Sequence, residues 1–206
     1  MFGFIHLKKS AGWRKNVSIR QWKETDRQLL LVWLRITQEH LVSMVQELTE
    51  NQFMNQLDTN QWSIGKIMEY LIKADKMHCQ ELTDVPYRRY PITRLQRTDI
   101  YDDLNWMDDI VNQTIIDVPR QLVPTGLFGK TELIREFIRG RAELIAFVNI
   151  TSLDFKTVYT NWPTNADPIV LDLHQYVLAI IACTQRYIAD IKKIKADQSA
   201  LCLSDH

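Results

Sequence analysis

The sequence predicts an all-α protein, an antiparallel four-helix bundle with a short extra helix and long connections. Three observations carry that prediction. Apolar residues recur at three- and four-residue steps in four long stretches, the spacing of one helix face. No stretch shows the period-two alternation of a half-buried strand. The six glycines and six prolines fall mostly between the periodic stretches, where they break helices rather than weaken them.

Residues 1–22 form an N-terminal arm in which Phe2, Phe4, Trp13 and Trp22 are mixed with Lys8, Lys9, Arg14, Lys15 and Arg20. Packing of those aromatics on the domain or on a second copy is favoured over a free basic arm. A single bundle domain is expected over 23–196. Thr25-Asp26-Arg27-Gln28 reads as a capping box, and Leu30, Leu34, Leu41, Val45 and Leu48 then mark the first helix. His40 lies beside that stripe and is expected to be solvated or satisfied. Asn51–Gln61 is a polar connection with one turn around Phe53, Met54 and Leu57.

Ser63 can cap the second long helix through its hydroxyl. Its face is Ile64, Ile67, Met68, Leu71, Asp75, His78 and Leu82, running to Thr83, with Tyr70 at the margin. Asp84–Thr98 is a loop holding Arg88, Arg89, Arg94 and Arg97, and the acidic Asp99, Asp102, Asp103, Asp108 and Asp109 follow at once. Mutual neutralisation accounts for both blocks. Tyr101, Leu104, Met107, Val111 and Ile115 give the extra helix its stripe.

Pro119–Lys130 is turn-rich, and its Gly126-Leu127-Phe128-Gly129-Lys130-Thr131 imitates the end of a phosphate loop. The motif needs four residues between its glycines and a preceding strand; two residues and no strand signal stand here. Thr131 opens the third long helix, with Ile134, Phe137, Ile138, Leu144, Ile145 and Val148 on one face. Arg141 shares that face, so it needs a carboxylate or a polar cavity. Thr151–Pro168 reads as irregular because Pro163 and Pro168 exclude a continuous helix. The final helix is expected over Leu171–Lys195, capped by Asp172 with Gln175 three residues on. Lys192, Lys193 and Lys195 suit its negative end, and 197–206 is left as a polar tail.

Composition narrows the function classes. Twenty-five basic and twenty-five acidic residues cancel in a chain of 206, so no global field draws it to nucleic acid or to an anionic membrane. No stretch approaches the roughly 20 apolar residues that span a bilayer. Cys79, Cys183 and Cys202 imply no disulfide framework, and reduced thiols in a cytoplasm are expected.

Two stretches carry a resemblance. Trp62-Ser63-Ile64-Gly65-Lys66-Ile67-Met68-Glu69-Tyr70-Leu71 resembles the start of the second helix in the DinB/YfiT-like superfamily. Cys183-Thr184-Gln185-Arg186-Tyr187-Ile188-Ala189-Asp190-Ile191 resembles that family's final helix. The resemblance covers residues 24–195. It implies a four-helix, often dimeric bundle with three histidines on a divalent ion such as zinc or nickel, at the positions of Tyr70, Cys183 and Tyr187. Histidines at i and i+4 project to one side of a helix and can share an ion that a third closes.

All three positions depart from that pattern. Two phenols with an ordinary pKa of about 10 and one thiol are a poor set for zinc. His78 lies two turns beyond Tyr70, and His174 precedes Cys183 by about 13 Å of helix axis at 1.5 Å per residue. Neither is expected to join Cys183 on one ion. The sequence therefore leads to a degenerate bundle, with no metal, whose Tyr70, Cys183, Tyr187 and Arg141 are packed or line a small-ligand pocket. The other class is a hydrolase or thiol transferase that depends on a metal or on Cys183. A reactive thiol needs a nearby cation; Arg186 is expected to point away from Cys183, leaving Arg141 as the inward one. A homodimer is what the resemblance implies.

Overall fold

The computed structural model describes residues 21–59, 61–87, 118–162 and 169–204. Within them the chain forms α1 (Glu24–Gln46), α2 (Glu50–Met54), α3 (Ile64–Asp84), α4 (Lys130–Ile150), β1 (Tyr159–Trp162), β2 (Ile169–Asp172) and α5 (Leu173–Ser204). The four long helices make an antiparallel bundle, as the periodicity predicts. The basic arginine loop, the acidic block and the Tyr101–Ile115 stripe lie outside the described residues, as does nearly all of the N-terminal arm.

Helices α1 and α3 each pack against both α4 and α5. The order around the bundle is therefore α1, α4, α3, α5: α1 faces α3 across one diagonal and α4 faces α5 across the other, while α3 and α4 lie side by side. The core divides into two lobes. One joins Leu30, Leu31 and Leu34 of α1 to Leu82, Leu144, Val148 and the first turns of α5. The other joins Leu41 and Val45 to Met68, Tyr70, Phe137, Tyr187 and Ile191. Between the lobes each long helix contributes one buried polar residue: Thr37, Asp75, Arg141 and Thr184.

Local chemistry sets the helix ends. The Ser63 hydroxyl accepts from Lys66 N–H at 3.3 Å, and Asp172 Oδ1 accepts from Gln175 N–H at 2.8 Å; both caps match the sequence reading. At α1 the box is displaced. Asp26, not Gln28, reaches back, accepting from Lys23 N–H at 3.0 Å, so the helix begins at Glu24. Gln28 instead donates to Glu24 at 2.7 Å. Thr49 and Gln52 cap α2 reciprocally, the Thr49 hydroxyl accepting from Gln52 N–H at 3.2 Å and Gln52 Oε1 from Thr49 N–H at 2.9 Å.

Several expectations need correction. The stretch read as irregular contains an antiparallel strand pair in which Tyr159 faces Asp172 and Trp162 faces Ile169. Because β2 takes residues up to Asp172, the final helix starts at Leu173. It also runs past Lys195 to Ser204, so the lysines are mid-helix and do not sit at the negative end. Gln198 in that extension is buried and donates to Gln52 O at 2.9 Å. On α4, Ile138 is exposed, outside the buried face. His40 is exposed, as expected, and Trp22 stacks on Phe155 at 4.8 Å, the packing expected of the arm's aromatics.

Candidate functional site

Antiparallel packing of α3 on α5 brings Tyr70 against Tyr187, with ring centroids 5.1 Å apart at 53°. Trp62, just before the α3 cap, closes over Tyr70 at 5.5 Å. The Tyr70 and Tyr187 hydroxyls lie near enough to influence each other, and Cys183 lies close enough for its charge to bear on both. Burial raises both phenols above their ordinary pKa, Cys183 raises them further, and Arg186 opposes the rise. Burial likewise pushes the Cys183 thiol up to about 12, against Arg186 and Arg141, while Asp75 adds to the rise. At neutral pH the three side chains are uncharged.

Arg186 departs from expectation. A three-residue step on a helix falls only about 60° short of a full turn, so Arg186 flanks Cys183 on the same side. Its guanidinium lies 5.9 Å from the Tyr187 ring centroid. Spacing alone could have found it.

Arg141 has no exposed surface at all. Its Nη2 donates to Asp75 Oδ1 at 3.2 Å and to Thr184 Oγ1 at 3.0 Å. The Thr184 oxygen is free to accept because its own proton goes to Ile180 O at 2.9 Å. Asp75 Oδ2 stands 3.0 Å from Nη2 without making a second hydrogen bond. The Phe137 ring lies 5.2 Å from the guanidinium carbon. Nε and Nη1 have no partner among the described residues. Burial raises the Asp75 pKa, with Arg141 opposing. The structural ion pair expected of Arg141 is present, and it is lopsided.

The histidines belong to the other lobe. His78 Nδ1 and the Tyr176 hydroxyl are 2.8 Å apart, and the His78 ring stacks on Trp162 at 4.7 Å. Burial, then Arg141, pushes the His78 pKa down to about 3, so it is neutral. His174 sits edge-on to Trp22 at 5.9 Å. No group of three or more His, Cys, Asp or Glu side chains among the described residues is placed to hold a metal ion.

Sequence reasoning missed Glu69. Buried on α3, it accepts from Thr125 N–H at 2.9 and 2.8 Å, from Thr125 Oγ1 at 3.0 Å and from Gly126 N–H at 2.7 Å. Lys73 adds an ion pair at 2.8 Å. Burial pushes its pKa up, yet Lys73 and the two backbone N–H groups outweigh burial and lower it. Gly126, at φ +73°, takes the left-handed conformation that turns the loop onto the carboxylate. The Glu69–Lys73 pair at i and i+4 was a visible hint; its loop partners were not.

No family model matches the chain, and no curated protein matches it. Among solved structures it is similar to YfiT from Bacillus subtilis, described as a probable metal-dependent hydrolase with an unusual four-helix bundle topology. The TM-score is 0.58 at 12% identity, over 91% of this chain and 94% of that one. At that identity the likeness establishes a shared fold.

Proposed function

We propose that this chain is a YfiT-like helical bundle that has exchanged metal chemistry for small-ligand binding at Tyr70, Cys183, Tyr187 and Arg141. One observation carries the reading: the three side chains at the family's metal positions are neutral donors flanked by two guanidiniums. A divalent cation favours anionic or imidazole donors and is repelled by adjacent positive charge. These residues do not fit one. The phenol hydroxyls and the guanidiniums can instead direct hydrogen bonds at a ligand. The raised Cys183 pKa also counts against a thiolate nucleophile, since the thiolate is the reactive form.

Elemental analysis of tag-free protein, before and after incubation with zinc and nickel, tests the reading. Metal at background level is expected. Stoichiometric metal that is lost in Cys183→Ala would overturn it in favour of a metal-dependent hydrolase or transferase.

The partner is a second copy of the chain. Leu29, Val32, Trp33 and Ile36 form a second apolar stripe on α1, 36–50% exposed, at steps of three and four residues. A stripe of this kind can bury itself on its own copy about a two-fold axis. Trp33→Glu is expected to turn a dimer into a monomer in light scattering; a wild-type monomer would rule this out. No helix of the described residues is long and apolar enough to cross a membrane.

A further inference from the structure

Two guanidiniums bracket Cys183, and both have donors to spare. Arg141 reaches α5 at Thr184, one residue after Cys183, through a single nitrogen. Its Nε and Nη1 are buried with no partner among the described residues. Arg186 covers Tyr187 from the other side, and its Nη1 is likewise buried and unpartnered, although Asp190 stands one turn further along.

The balance of charge follows from those contacts. Asp75 engages Arg141 through Nη2 alone and Asp190 acts on Arg186 by charge only, so both guanidiniums keep N–H groups that neither carboxylate fills. A buried N–H that gives up water without gaining an acceptor costs free energy, more so on a charged group. The neighbouring Tyr70 and Tyr187 hydroxyls can donate as well as accept. Cys183 and Arg186 are only partly buried, which leaves the cluster a side open to solvent.

We infer that the site takes a small organic carboxylate, its oxygens held between the unfilled N–H groups of Arg141 and Arg186. A planar fork of N–H groups matches a carboxylate better than it matches a neutral group. The Tyr70, Tyr187 and Trp62 rings provide an apolar wall, which favours an acid with a flat or apolar body. The inference rests on the ligand-binding reading above and names the class of ligand.

Calorimetric titration of the full chain with benzoate, acetate and benzamide tests it. Benzoate is expected to bind, acetate more weakly, and the neutral isostere benzamide not at all. Arg186→Gln, at a half-buried position where the fold should tolerate it, is expected to weaken benzoate about tenfold or more. Arg141→Gln should abolish binding, with circular dichroism reporting whether it folds. Equal binding of benzoate and benzamide, or benzoate binding that Arg186→Gln leaves unchanged, would overturn the carboxylate assignment and leave a ligand site standing. Absence of binding by both anions would also overturn it. Stoichiometric zinc or nickel would instead remove the reading on which it rests.

Discussion

Helix α3 buries two carboxylates less than two turns apart, and they are treated oppositely. Glu69 collects an ammonium, a hydroxyl and two backbone N–H groups, and its pKa is lowered. Asp75 meets one guanidinium nitrogen, and its pKa is raised. Both are only 2% exposed, but Asp75 lies much deeper among protein atoms, so depth and the number of donors together separate them. A carboxylate that is fully solvated by protein fixes a loop in place. One that is partly solvated leaves its partner with donors in hand, which makes the waist of the bundle the place to look for a ligand.

The comparison breaks most visibly at Arg141. Arg141→Met would leave Asp75 buried without its cation, a loss of about 3–5 kcal/mol in chemical denaturation. Adding Asp75→Leu should return most of it, because an apolar pair can replace a buried ion pair at little cost. If the double variant is no better than the single, the Asp75–Arg141 pair is as integral as the Glu69 cradle. Next in size is Glu69→Gln, which keeps one acceptor oxygen but loses the charge facing Lys73. About 2–3 kcal/mol is expected, together with faster amide exchange at Thr125 and Gly126. Unchanged exchange there would mean that the loop is held by other contacts.

Two threonines sharpen the comparison. Thr184→Val removes a neutral acceptor from a guanidinium that already lacks partners, and about 1–2 kcal/mol should be lost. Thr125→Val removes one of several donors to Glu69, and less than about 1 kcal/mol is expected. The reverse order would show that donor count plays no part in distinguishing the two carboxylates.

Titration gives the smallest effect and the clearest sign. The lowered Glu69 pKa contributes stability that is present above its unfolded value and is lost as pH falls through the folded one. The raised Asp75 pKa acts the other way, contributing stability below its unfolded value that is lost as pH rises through the folded one. Glu69→Gln should therefore flatten the acid limb of a stability–pH curve. Asp75→Asn should flatten the rise in stability toward acid. A curve that the two substitutions change alike would contradict the assignment.

What the sequence made legible was local. The α1 stripe, the Ser63 cap and the Asp172 cap are each written within a few residues, and the bundle follows from their periodicity. A buried Arg141 in need of a carboxylate was also legible, because a charge on an apolar stripe declares its own requirement. Glu69 was not, since its partners Thr125 and Gly126 come more than fifty residues later. The strands β1 and β2 hid because four residues beside a proline hold too few alternations to register. The continuation of α5 past Lys195 hid because Gln198 is polar yet buried against the α2 backbone. Arg186 was misjudged on a three-residue step that places it beside Cys183. The site was thus half legible: its residue types by resemblance, its charge only by packing.

The order of helices around the bundle also bears on how the protein is made. Helix α5 supplies side chains to both lobes, and α1 meets it at Met44 and Lys195 across a sequence separation of 151 residues. Neither lobe can close on a ribosome-bound chain until α5 has emerged. The apolar faces of α1, α3 and α4 stay open through most of synthesis, an interval in which pairing with other chains competes with folding.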